Sequence, residues 1–132
     1  MASNIIHIVF ISSTFEDLRE ERAEVQKAVL RLGCFPIGME LFPSSDEDAW
    51  GYIKSEIERI DYYILIVGGR YGSVDQDGVS YTEREYRLAR ALNKPCLVFL
   101  RNNPDKLEQD SDKRHRLTNF IYELKTNHLV ES

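Results

Sequence analysis

Three near-continuous apolar runs, each cut off by turn-forming residues, constrain this chain more than any other feature. Residues 5–11 (IIHIVFI) stop at Ser12-Ser13, residues 62–67 (YYILIV) at Gly68-Gly69, and residues 95–100 (PCLVFL) at Asn102-Asn103-Pro104. Short runs that do not alternate polar with apolar are buried on both faces, as in a parallel sheet covered by helices on each side. Residues 34–39 form a weaker fourth run. Its Pro36 has no N–H to give a ladder, which places that strand at a sheet edge.

Helical patterns fill the gaps between the runs. Ser13-Thr14-Phe15-Glu16 has capping-box spacing and opens a helix with Leu18, Val25, Val29 and Leu32 on one stripe, ended by Gly33. Ser44-Ser45-Asp46-Glu47 starts a second helix, which turns Trp50, Ile53, Ile57 and Ile60 inward. Ser80-Tyr81-Thr82-Glu83 starts a third, with Leu88, Ala89 and Leu92 on one face before Asn93-Lys94-Pro95 stops it. The order β-α-β-α-β-α-β with right-handed crossovers predicts a three-layer α/β fold. Its parallel sheet has four or five strands in the flavodoxin-like order 2-1-3-4(-5). Residues 101–116 read as a polar loop and 117–126 as a last helix. His128-Leu129-Val130 reads as the start of a fifth strand.

The 132 residues suit a single domain spanning 1–132. A net charge of -5 without a Lys/Arg stripe argues against nucleic acid as a partner, because phosphate backbones need clustered positive charge. Cys34 and Cys96 lie in apolar runs and read as small core residues of a reducing compartment. No run is long enough to cross a bilayer and the N-terminus lacks a signal-peptide pattern, so the expected location is the cytoplasm, with no membrane partner. His7, His115 and His128 are scattered, and no metal site or resident cofactor is expected.

In an open parallel sheet, ligands bind beyond the carboxyl ends of the strands where the strand order reverses. Here that point lies between the first and third strands, flanked by Ser12-Ser13-Thr14 and by Gly68-Gly69-Arg70-Tyr71. The glycines allow close backbone approach and Arg70 suits a phosphate, yet neither a Walker loop nor a dinucleotide fingerprint is present. A tight turn after a buried strand accounts for the loop equally well. Glu85 shares a helix face with Tyr81, Leu88 and Leu92, so a carboxylate points inward near the strand ends. It reads either as an acid, base or nucleophile, or as the partner of Thr82 in a second capping box; Glu83 lies on the opposite side and pairs with Ser80. Arg22 interrupts the first helix's stripe, and either snorkels to solvent or pairs with an acid. Trp50 and Tyr71 stack on a ligand ring or pack in the core.

These residues carry a resemblance. Residues 7–22 (HIVFISSTFEDLREER), with Gly38-Met39-Glu40, residues 45–50 (SDEDAW), residues 68–73 (GGRYGS) and residues 80–86 (SYTEREY), are similar to a TIR-like family of uncharacterised domains. That family often heads STAND-type NTPases and related multidomain proteins. The segment from Glu85 to Pro95 also resembles the catalytic-helix segment of nucleoside 2-deoxyribosyltransferases, with Arg87 where those enzymes usually carry Gly. Residues 9–12 resemble the opening strand of TIR domains, some of which cleave NAD. The resemblance implies an effector or signalling role in defence, exerted by cleaving the N-glycosidic bond of NAD or a related nucleotide, with self-association and a fused NTPase or repeat domain as partners. It implies Glu85 as the residue that attacks or stabilises an anomeric carbon. Ser12, Ser13, Thr14, Gly68, Gly69, Arg70, Tyr71 and Trp50 would hold a nucleotide-type ligand such as NAD. The alternative is a non-enzymatic module that senses a nucleotide or assembles with itself.

Overall fold

A computed structural model describes residues 5–14, 17–38, 47–101 and 107–128. Its elements are β1 (Ile8–Ser13), α1 (Arg19–Arg31), β2 (Phe35–Gly38), α2 (Glu47–Arg59), β3 (Tyr62–Val67), α3 (Tyr81–Ala91), β4 (Cys96–Leu100) and α4 (Ser111–Asn127). All strand pairs are parallel and the order is β2-β1-β3-β4, as the alternation of strand and helix patterns predicts.

Burial explains the apolar runs. Tyr63 to Val67 are all buried, because β3 is central and carries helices on both faces. On one face α1 packs Leu18 and Val29 against Val9, Ile11, Ile64 and Ile66. On the other, α2, α3 and α4 pack Ile53, Ile57, Ala89, Leu117, Phe120 and Leu124 against Phe10, Tyr63, Leu65, Val67, Val98 and Leu100. β4 alternates instead, with Leu97 exposed between partly buried Cys96 and buried Val98, as suits an edge. Pro36 stands on the opposite edge strand, β2, where its missing N–H costs no ladder bond. Cys34 and Cys96 are both free and half-buried, on opposite faces of the sheet.

Several boundaries differ from the sequence reading. Ser12 and Ser13 belong to β1 and not to a loop, since each hydroxyl finds a buried partner. α1 accordingly starts at Arg19, behind Leu18, and has no side-chain cap. Ser13 therefore does not cap it, while Glu16 lies outside the described residues. Leu32 is the C-cap of α1 and is 80% exposed, and Leu92 at the end of α3 is also exposed, so neither belongs to the core. Ser44 and Ser45 fall outside the described residues, as do Leu129 and Val130 of the expected fifth strand. α4 begins at Ser111, well before residue 117. Asp110 accepts from the Lys113 N–H at 3.0 Å and Asp112 lies in the first turn, a helix start hidden inside a stretch that reads as polar loop.

Candidate functional site

β1 and β3 lie side by side, and the strand order reverses around them. Ser12 at the end of β1 faces α3. Ser80 caps α3 by accepting from the Glu83 N–H at 3.0 Å, which fixes the rotation of the helix and turns Glu85 toward the sheet. The Ser12 hydroxyl donates to Glu85 Oε1 at 2.6 Å, and both residues are fully buried. Glu85 therefore takes a strand partner and does not close a capping box with Thr82.

The carboxyl of Glu85 is sealed inside the protein. Burial pushes it up to about 8, against the smaller opposing effects of the Ser12 hydroxyl and the Arg22 charge. At neutral pH it is a neutral acid. Its Oε2 and the buried Tyr63 hydroxyl have no hydrogen-bond partner among the described residues. Tyr63 is itself pushed up, first by burial and then by Glu85. Arg22 does not snorkel. It is 2% exposed, and its Nη1 donates to Ser13 Oγ at 2.9 Å on the α1 face.

A separate small cleft, with room for about 10 Å³ or roughly one water molecule, lies near this pair. Thr14, Arg70, Tyr71, Ser80 and Thr82 line it, over a floor that includes Ile66, Val67, Leu117 and Phe120. Thr14 follows Ser12 by two residues on the chain, and Thr82 precedes Glu85 by three on the helix. The acid thus sits one layer below the cleft and does not line it.

The glycine loop is built by close approach. A Cβ on Gly68 would lie 2.7 Å from Asp17 Oδ2 and 2.9 Å from Leu18 Cδ2. Gly72 has φ +91°, and a Cβ there would lie 2.8 Å from Thr14 Cγ2. Gly69 is buried. Two of the loop's amides and the Tyr71 hydroxyl are engaged within the chain. The Arg70 N–H donates to Asp17 Oδ2 at 3.2 Å, the Tyr71 N–H to Glu108 Oε1 at 2.8 Å, and the Tyr71 hydroxyl to Glu83 Oε1 at 2.7 Å. Thr14 Oγ1 donates to Asp17 Oδ1.

Glu83, which reads as a cap partner only, is buried and also accepts from Arg87 Nε at 2.9 Å. Arg87 bridges onward to Glu123 and so ties α3 to α4. The hydrogen bonds of the paired carboxylates push the Arg87 guanidinium upward, Glu123 first. Trp50 is half-buried against the core with the Arg84 guanidinium 4.2 Å from its ring centroid, so that face stacks within the protein.

The structure therefore joins Ser12 to Glu85, and separately gathers Thr14, Arg70 and Tyr71 around the cleft. Ser13 pairs with Arg22 on the far face, and Trp50 does not line the cleft. Ser80, Thr82 and Glu108 carry no site signal in the sequence, where Thr82 reads only as a capping-box residue. Ser80 appeared there only as a cap, and Glu108 sits in a stretch with no periodic signal.

Comparison with known proteins agrees with this architecture. No curated protein matches the chain. Among solved structures, the chain is similar to one described as the crystal structure of the RPS4 and RRS1 TIR domain heterodimer. The two share 12% identity with a TM-score of 0.50, over 92% of this chain and 97% of that one. That likeness establishes a TIR-like fold. The family described as Domain of unknown function (DUF4062) matches residues 8–132, and the chain belongs to it.

Proposed function

We propose that this TIR-like domain is a signalling module that senses a nucleotide-type small molecule and acts through self-association, and that its isolated fold is catalytically closed. The observation that carries this reading is the sealing of Glu85. A carboxyl with no accessible surface, already bonded to Ser12, has no room for a ribose before it. The cleft nearby has room for about 10 Å³, roughly one water molecule, so a ligand would enter only where the cleft widens. A similar solved structure is a heterodimer of two TIR domains, which supports assembly as the working mode. By the family resemblance, the module would form the effector end of a larger STAND-type protein in defence signalling.

A second reading, cleavage of the N-glycosidic bond of NAD or a related nucleotide, is favoured by one feature. Glu85 is a protonated acid one helical turn beneath Thr82, poised as a proton donor if assembly opens the cleft floor. Concentrated protein incubated with NAD separates the two. Sensing predicts thermal stabilisation by NAD with no nicotinamide released. Nicotinamide release by wild type that Glu85→Gln abolishes would overturn the first reading and establish the second.

A further inference from the structure

Consecutive amides of the glycine loop are held by carboxylates from distant parts of the chain. Asp17 takes the Arg70 N–H, and Glu108 takes the Tyr71 N–H at 2.8 Å. Glu108 is 6% exposed, yet its neighbours Leu107 and Gln109 are both exposed. One acidic side chain therefore reaches inward from a surface segment. Removing a carboxylate from water costs several kcal/mol unless its partners are good. Here the Tyr71 amide is such a partner, but Glu108 Oε1 lies 3.7 Å from Arg70 Nε, and that buried Nε has no hydrogen-bond partner among the described residues.

We infer that the Tyr71 amide and the Arg70 guanidinium form an anion site, and that Glu108 is its resident occupant. A backbone amide beside a guanidinium is the donor set that binds phosphate oxygens. The Glu108 carboxylate reaches the amide well and the guanidinium poorly. A phosphate group, with three terminal oxygens, can meet both donors at hydrogen-bond distance. The ligand class is thus a phosphate monoester or diphosphate, competing with Glu108 for the loop. The identity of its organic part as a nucleoside rests on the nucleotide-sensing reading above. Because Glu108 must leave before the ligand enters, its departure lowers the apparent affinity and couples binding to movement of the segment that leads into α4.

The test titrates inorganic pyrophosphate into the full chain and follows binding by calorimetry and by the Tyr71 amide resonance. Glu108→Ala is expected to bind at least about tenfold more tightly than wild type, which corresponds to about 1.4 kcal/mol. Adding Arg70→Ala is expected to return affinity to the wild-type level. Glu24→Ala, which removes the same charge from an exposed position on α1, controls for net charge and is expected to gain nothing. If Glu108→Ala does not fold, Glu108→Gln keeps the shape, removes the charge and is expected to change affinity in the same direction. No gain in the folded variant, or an equal gain in Glu24→Ala, overturns the proposal and leaves Glu108 as a tether of the loop. NAD provides a separate arm. Pyrophosphate gain without any NAD stabilisation of either protein keeps the anion site and removes the nucleotide reading; NAD stabilisation of wild type without pyrophosphate gain does the reverse.

Discussion

Replacing Glu85 by Gln changes how stability depends on pH, in a direction the structure dictates. In the unfolded chain this carboxyl titrates near its ordinary value of 4.5, and burial in the fold raises it to about 8. Between those values the folded protein keeps a proton that the unfolded chain has released. Stability therefore falls as pH rises, by about 1.4 kcal/mol per pH unit. Below 4.5 both states are protonated and the term vanishes; above about 8 both are ionised and the loss is complete. At pH 7 the fold carries a penalty of about 3 kcal/mol from this one group, a large share of an ordinary domain's stability.

Gln has nearly the same shape and no proton to release. Its Oε1 still accepts from Ser12, while its amide buries one more N–H where Glu85 Oε2 already lacks a partner. That added N–H costs about 1–3 kcal/mol at every pH. The variant is thus expected to be less stable than wild type at pH 5 and more stable at pH 8, with the two curves crossing between. The change in their difference across that interval is about 4 kcal/mol. Urea unfolding followed by circular dichroism at pH 5, 6.5 and 8 measures it directly. Parallel pH profiles for the two proteins would refute the reasoning, because they would mean that Glu85 is ionised in the fold or open to water.

Ser80→Ala removes the only side chain that caps α3 among the described residues, and is expected to cost about 1 kcal/mol, or about 4 °C in melting temperature. Ser80→Asp, which keeps an acceptor at that position, should recover part of the loss if capping is the cause. Gly72→Ala combines a left-handed backbone with a Cβ 2.8 Å from Thr14 Cγ2, and is expected to destabilise by about 1–3 kcal/mol. Thr14→Ser in the same chain removes the clashing methyl and should relieve the steric share of that cost while leaving the backbone share, which thermal melts of the single and double variants resolve.

Much of this fold is legible in the sequence because burial on both faces writes an unbroken apolar run. β3, the central strand, is the plainest case, and Pro36 marks its strand as an edge by chemistry alone. The starts of α1 and α4 were less legible. Ser13 has the residue type of a helix cap, but a strand position with Arg22 within hydrogen-bond reach uses its hydroxyl better. Asp110 is a cap of ordinary type, but charged neighbours mask it as loop. The inward turn of Glu85 follows from helix spacing, whereas its sealing does not, because spacing cannot tell a cleft wall from a core. Glu108 was invisible for a related reason. Its partner lies 37 residues away on the glycine loop, and no local pattern records such a pairing.

Glu85 and Glu108 answer the same question in opposite ways. Each is a buried carboxyl near the strand ends, where an open parallel sheet usually receives its ligand. Glu85 lies one layer down, and burial drives it toward the neutral form against the weaker pull of the Ser12 hydroxyl and the Arg22 charge. Glu108 lies one layer up, on an amide and beside a guanidinium, the donors that an external anion would use. The two layers meet at α3, where Ser80 and Thr82 line the cleft and Glu85 hangs from the next turn. A ligand that displaced Glu108 and pressed on the first turn of α3 would therefore bear on the Ser12–Glu85 contact without touching it. Double-mutant cycles between Glu108→Ala and Glu85→Gln measure that link: a coupling of about 0.5 kcal/mol or more in unfolding free energy is expected, and strict additivity would show that the layers act independently.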